Sequence, residues 1–381
     1  MKILHVNMML DAVNGGGTAE RTFQLARAMA RRGVKSGVLT LDIGLSPERI
    51  ASLAPATATV LHCVAQRYFL FKWPEPKIGE AVRWADLVHL VGHWTLLNAA
   101  AFREARRQGK PYAVCPAGAL PIFGRSRHMK RAYNALIGRR MIREADACIA
   151  IGTNETAQFA EYGVASGRLT FIPNGIDPAD FQSADSKGFR TRFNLPPGPF
   201  ILFLGRLNLI KGPDLLLLAF RDIAGSHPDV HLVFAGPDGG MLGNLQRMTG
   251  EFGLQHRVHF IGPVEGKIKS QAYHAATLLA VPSRQEAMSI VALEGGISGT
   301  PVVMTDQCGF DEIATSGGAT VVPATPLGLA HGLETMLSRP DALPGMGAAL
   351  REWISSRYLW ERVADQYIEL FSRVTASRPS A

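Results

Sequence analysis

Short apolar runs alternate with helix-patterned segments along almost the whole chain, and this constrains the fold more than any other feature. A strand, a helix and a further strand in repetition give a parallel sheet covered by helices. The alternation comes in two series. In the first, strands are predicted at Ile3–Asn7, Lys35–Thr40, Thr59–Cys63, Leu87–Val91, Tyr112–Cys115, Cys148–Ile151 and Leu169–Phe171. In the second they fall at Phe200–Leu204, His231–Ala235, Val258–Ile261, Leu278–Val281, Pro301–Met304 and Ala319–Val322. Between the series lie the turn cluster Ile172-Pro-Asn-Gly-Ile-Asp177 and the polar tract Gln182–Gly188. A chain of 381 residues exceeds one ordinary core. The reading is therefore α/β, with two doubly wound, Rossmann-like domains over residues 1–175 and 176–355. A final amphipathic helix, Leu359–Phe371, lies in residues 356–381, and the end from Ala376 looks frayed.

The second series carries the densest chemistry. The strand Leu278–Val281 leads into Glu286-Ala-Met-Ser-Ile-Val-Ala-Leu-Glu294, which places one carboxylate in a strand-to-helix loop and another about one helical turn in. The N–H groups of Met288, Ser289 and Ile290 would form the helix N-terminus, a natural anion site. Two acids flanking an anion cradle point to a ligand with both phosphates and hydroxyls, such as a sugar nucleotide. A diphosphate needs more positive charge than the roughly +0.5 of a helix end. Arg206 and Lys211, in Phe203-Leu-Gly-Arg206-Leu-Asn-Leu-Ile-Lys211-Gly212, supply it at the carboxyl end of the Phe200–Leu204 strand. No Asp-x-Asp is available to hold a metal, and neither a metal nor a cofactor is expected. The backbone at Pro263–Val264, poor in side-chain polar groups, suits a flat base. Asp238-Gly239-Gly240 reads more simply as a turn.

The first series offers Asn14-Gly15-Gly16-Gly17-Thr18 after its first strand. Glu20 stands where a dinucleotide fingerprint needs Gly or Ala, so the expectation is a loop, with Gly16 and Gly17, that a phosphate or sugar approaches closely. His89 lies inside an apolar strand and reads as a core residue. His93 lies past the end of that strand and is a candidate to touch substrate. Residues 1–175 hold 23 Lys and Arg against 12 Asp and Glu, whereas the remainder holds 17 against 20. Much of the excess lies between Arg103 and Arg143, including Arg125. A solvated face is the plain interpretation, and an anionic membrane surface or a phosphate-bearing acceptor is the functional one. Aromatic residues are not interleaved with these charges, which disfavours nucleic acid.

No apolar run reaches the ~20 residues of a membrane span. The four cysteines, Cys63, Cys115, Cys148 and Cys308, are scattered as in a reducing compartment. A cytoplasmic protein is expected, with a peripheral place at the inner face of the membrane as its extension.

Taken together, Gly205-Arg206 with Lys211-Gly212, Ile172–Asp177, Glu286-x7-Glu294, Gly299-Thr-Pro-Val-Val303 and Gly16-Gly17 resemble the retaining GT-B glycosyltransferases of the large group 1 family. The resemblance covers nearly the whole chain and is most specific from about residue 171 to 322. It implies two Rossmann-like domains facing a cleft, an acceptor side in the N-terminal domain, a donor side in the C-terminal domain, and a last helix crossing back. It also implies a catalytic set of Glu286, Arg206 and Lys211, with Glu286 near the donor sugar and the two cations on the diphosphate. Glu294 would bind the ribose, and the backbone around Ser289 and Ile290 the phosphates or sugar. The implied activity is retaining transfer from a UDP- or GDP-linked sugar to a glycan or lipid-linked acceptor, as in cell-surface polysaccharide or lipopolysaccharide synthesis. A sugar-nucleotide epimerase on the same fold and a non-catalytic sugar-nucleotide-binding module remain open. Two departures stand out: Ala117 replaces a histidine that many relatives carry, and Met288-Ser289 replaces the usual aromatic-Gly. Ser in place of Gly is expected to narrow the approach to the donor.

Overall fold

The structure, a computed structural model, describes residues 1–11, 15–65, 70–72, 75–122 and 126–377. Asn14, Arg125 and the last four residues, named above for the glycine loop, the basic stretch and the frayed end, lie outside these. The chain divides into two compact units, Met1–Gly175 with Trp360–Ala381, and Ile176–Leu359.

The first unit is built on a parallel sheet in which seven described strands take the order β3-β2-β1-β6-β7-β8-β9. They are β1 (Lys2–Val6), β2 (Lys35–Leu41), β3 (Thr57–Leu61), β6 (Leu87–Val91), β7 (Tyr112–Cys115), β8 (Ala147–Ala150) and β9 (Leu169–Phe171). A short antiparallel pair, β4 (Cys63–Ala65) with β5 (Leu70–Phe71), stands apart from the sheet. The sequence does not predict it, because runs of two or three residues carry no readable period. The central strands are buried on both faces, as parallel sheets require, and so read as continuous apolar runs. His5 and His89 are paired across β1 and β6. Both are fully buried, with their Nδ1 atoms 3.0 Å apart.

The closing helix, Trp360–Ala376, belongs to this unit. It buries Trp360, Val363, Ala364, Tyr367, Leu370, Phe371 and Val374, a stripe at helical spacing. Fully covering each large side chain stabilises by about 1.5–3 kcal/mol. The guanidinium of Arg21, buried on the helix Gly16–Arg31, donates to Tyr367 Oη (2.5 Å), to the carbonyls of Ile172 and Pro173 (3.2 Å each) and to Asn174 Oδ1. Gly175 accommodates the Trp360 ring, since a Cβ there would come within 2.5 Å of it. The Pro-Asn-Gly turn thus has a structural task, anchoring this last helix around one buried cation.

The second unit carries a parallel sheet with described strands in the order β12-β11-β10-β13-β14-β15. These are β10 (Phe200–Leu204), β11 (His231–Ala235), β12 (Val258–Gly262), β13 (Leu278–Val281), β14 (Val302–Thr305) and β15 (Ala319–Val322). The order reverses direction beside β10 and β13, and ligands of doubly wound sheets bind at that point, beyond the carboxyl ends of the strands. The loops after β10 and β13 hold Arg206, Lys211 and Glu286. Among the described residues no helix is long and apolar enough to cross a membrane.

Candidate active site

Two βα loops of the second unit bring the first pair of chemical groups together. Gly212 has φ +66°, and a Cβ there would lie 2.1 Å from the Pro282 carbonyl oxygen. Only glycine lets the loop after β10 lie this close to the loop after β13. Asn208 Oδ1 accepts from the Lys211 N–H at 3.0 Å. Arg284 donates to both carboxylate oxygens of Asp214 at 2.8 and 2.6 Å and to the Leu209 carbonyl at 2.8 Å. The result is a contact of 3.0 Å between Lys211 Nζ and Glu286 Oε1.

Glu286 Oε1 also accepts from Ser283 Oγ at 2.5 Å. Its side chain is 10% exposed and that of Lys211 is 32% exposed. A pair this close to solvent adds about 1 kcal/mol or less, so its main effect is to fix position. The loop is strapped from the other side as well. The Glu286 N–H donates to the Gln307 carbonyl at 2.8 Å, the Ser289 N–H to the Cys308 carbonyl at 3.1 Å, and Thr305 Oγ1 to the Ser283 carbonyl at 2.5 Å. Cys308 is fully buried, and burial pushes its thiol up to about 12, so it serves as an inert packing group.

The helix that follows is Ile290–Ile297, with Ser289 as its N-cap. This corrects the sequence reading in two ways. The Ser289 N–H is not an open donor, because the Cys308 carbonyl takes it. Its side chain does not narrow an approach to ligand, because it is fully buried and accepts from the Ala292 N–H. The N–H groups of Ile290 and Val291 have no hydrogen-bond partner among the described residues, so the open donors at this helix start are theirs and not that of Ser289. Met288, buried beside them, is 5% exposed.

Glu294 sits in the same helix and is 5% exposed. Lys269 Nζ reaches its Oε1 at 2.7 Å, and Tyr273 Oη donates to Oε2 at 2.6 Å. Burial and the adjacent carboxylate hold the Tyr273 hydroxyl well above its ordinary range, so it stays protonated and donates. Neither partner is singled out by the sequence. The signal available is their i, i+4 spacing on the helix Gly266–Ala275.

Arg206 is exposed, and its guanidinium has no hydrogen bond or ion pair among the described residues. Val264 lies in the turn after β12, with neither its N–H nor its carbonyl bonded among them. Asp238 Oδ1 accepts from the N–H groups of Gly240, Met241 and Leu242, which lowers its carboxyl pKa. Asp238 thus closes the turn that leads into the helix Leu242–Glu251, in keeping with its turn reading.

The other candidates belong to the first unit. Gly16 and Gly17 are not in a loop: they open the helix Gly16–Arg31, whose N-terminus has no side-chain cap. Both are exposed, so they still offer backbone N–H groups to an anion. His93 is 1% exposed, not open to a ligand. The rings of Trp94, Tyr133 and Tyr162 surround it at 4.4, 5.5 and 5.3 Å, and Asn134 Oδ1 accepts from its Nε2 at 2.9 Å. Burial lowers its pKa to about 4. His93 is therefore a neutral internal group, which its position past a strand end does not reveal, because apart from Trp94 its enclosing residues Tyr133, Asn134 and Tyr162 lie far along the chain. His89 is the core residue it was expected to be.

The basic stretch is partly neutralised. Arg107 pairs with Glu104 at 2.8 Å, while Arg106 and Arg140 reach Glu144 at 3.4 and 2.8 Å.

Residues 189–353 match the family model described as glycosyl transferases group 1, and residues 16–175 match the glycosyl transferase 4-like domain. The chain is 26% identical over 408 aligned residues to a D-inositol 3-phosphate glycosyltransferase of Xylanimonas cellulosilytica, covering 96% of this chain and 94% of that protein. The fold superposes on sucrose-phosphate synthase of Thermosynechococcus elongatus with a TM-score of 0.77 at 21% identity, covering 99% of this chain and 100% of that one. Anabaena HepE, solved in complex with UDP and glucose, gives a TM-score of 0.78 at 19% identity, covering 98% and 99%. With one family model on each of its two parallel-sheet units, the chain belongs to the group 1 glycosyltransferases of GT-B fold.

Proposed function

We propose that this glycosyltransferase moves a sugar from a UDP- or GDP-linked donor to a glycan or lipid-linked acceptor, with retention at the anomeric carbon. The observation that carries the donor side is the 3.0 Å contact between Lys211 and Glu286 in the loops that also hold exposed Arg206, at the reversal point of the second sheet. In this reading Lys211 and Arg206 take the diphosphate, together with the Ile290 and Val291 N–H groups. Charge grows on the leaving phosphate as the glycosidic bond breaks, and fixed cations are strongest where charge develops in the transition state. Glu286 orients Lys211 and accepts from a donor-sugar hydroxyl. Glu294, held by Lys269 and Tyr273, accepts from the ribose, and the open backbone at Val264 meets the base. The acceptor attacks on the face the diphosphate leaves, through an oxocarbenium-like state. The reaction needs no resident metal or cofactor in this account, since the two cations carry the phosphate charge. The basic excess of the first unit suits an acceptor or membrane surface that is anionic, as in cell-surface glycan assembly at the inner face of the membrane.

Incubation with a panel of sugar nucleotides tests this. Release of nucleoside diphosphate, with sugar passed to an acceptor or slowly to water, supports transfer. An isomerised sugar supports epimerisation, and binding without turnover supports a module. Activity should persist in EDTA; loss restored by a divalent cation would contradict the metal-independent account.

A further inference from the structure

Three of the large apolar side chains that the first unit leaves in water converge on one depression. Leu70, Leu96 and Leu136 are 37%, 50% and 83% exposed. With Phe71 and Ile137 they line a groove of about 630 Å³ whose charged wall residues, among the described residues, are Arg103 and Arg140. Leu96, Ala99, Ala100 and Arg103 follow one face of the helix Leu96–Arg107, and the two alanines make its surface low enough to be concave. Opposite, the π-turn Asn134–Gly138 carries Leu136 and Ile137 and leads to Arg140. Gly138 permits this turn, because a Cβ there would strike the Asn134 side chain, which points inward to His93 and Tyr162.

Exposed leucines gathered in a concavity mark a binding site more than a bare surface. The volume is that of a small-molecule site, about 300–1,000 Å³. Each wall runs apolar and then ends in a guanidinium, a group that grips phosphate through two parallel bonds. The Arg140 Nε bond to Glu144 is an exposed i, i+4 pair of about 0.3–0.5 kcal/mol, easily shared with a phosphate.

We propose that this groove takes the aliphatic chain of a single phosphate-bearing lipid, with Arg103 and Arg140 on the phosphate, and that this lipid phosphate is the carrier of the acceptor. Only the carrier role rests on the transferase reading. Calorimetry with the full chain and decyl phosphate below its micelle concentration tests the site, with decanol and inorganic phosphate as controls. Decyl phosphate should bind saturably and inorganic phosphate poorly. Arg103→Ala with Arg140→Ala should weaken decyl phosphate by about tenfold or more while leaving decanol unchanged. Leu136→Asp, at a position exposed enough to preserve folding, should weaken both. Equal binding by all variants would overturn the site. So would attachment only to phosphatidylglycerol vesicles, lost with salt, which would mean a flat basic face and not a groove. Thermal stabilisation by nucleotide should be the same in both variants, so failure here is distinguishable from failure of the donor site. Lipid binding with no effect of these variants on transfer to a lipid-linked acceptor would remove the carrier role alone.

Discussion

Lys211 and Glu286 illustrate how far single residues can be read. Each is marked by its motif, but their contact is not foreseeable, because it depends on Gly212 letting two distant loops touch. Losing one preorganised cation at a developing charge lowers kcat by about 10²–10³-fold. Lys211→Met is expected to do so with little change in thermal stability, checked by steady-state kinetics beside a melting curve. Tyr273→Phe should raise KM for a ribonucleotide donor and narrow the preference over its 2′-deoxy counterpart, whereas a purely structural tyrosine would leave that ratio unmoved. Arg21 shows a signal that is present in the sequence and easily passed over. Arg21 is buried on its helix together with Phe23 and Leu25, but its partners Asn174 and Tyr367 lie far along the chain. His5, His89 and His93 are buried neutral, with pKa values lowered by burial to about 3 for His5 and about 4 for His93. The unfolded chain, with histidines near 6.5, binds protons first as pH falls. Stability is therefore full above about pH 6.5 and declines toward pH 4, by up to about 1.4 kcal/mol per histidine for each pH unit crossed between the unfolded and folded pKa. Denaturant titrations at pH 7.5 and 5 should show this loss, and a His5→Leu, His89→Leu variant a flatter profile.

Strands and helices are more legible than the sites they carry. Central strands such as Leu87–Val91 and Leu278–Val281 are buried on both faces, so their apolar runs stand out in sequence. The pair Cys63–Ala65 and Leu70–Phe71 and the π-turn Asn134–Gly138 do not, because a few residues outside a period leave no pattern. The helix at Gly16 begins earlier than the apolar periodicity from Ala19 predicts, since glycines give no helical signal. Ser289 has a different role from the one its motif suggests. Its hydroxyl caps the helix Ile290–Ile297, and Ser289→Ala should cost about 1 kcal/mol of stability. Ser289→Gly, which restores the family pattern, should cost only a few tenths and leave donor preference unchanged. Altered sugar selection in Ser289→Gly would return that side chain to the donor site.

At the scale of the molecule, the two series of alternating elements become two separately cored units, and the family membership follows from a match on each. The proposed donor site lies entirely in residues Ile176–Leu359, so a nucleoside diphosphate should protect that unit selectively. Hydrogen exchange with saturating UDP or GDP should slow in the loops at 205–211, 263–265 and 286–291 and leave the Leu96–Arg107 helix unchanged. The central claim is that Lys211, positioned by Glu286, carries the charge of a departing nucleoside diphosphate. Its most direct test is nucleoside diphosphate release from the best donor, in single turnover, by the native protein and by Lys211→Met. The account predicts release by the native chain and a loss of about 100-fold or more in the variant. Release at an unchanged rate in Lys211→Met would contradict it.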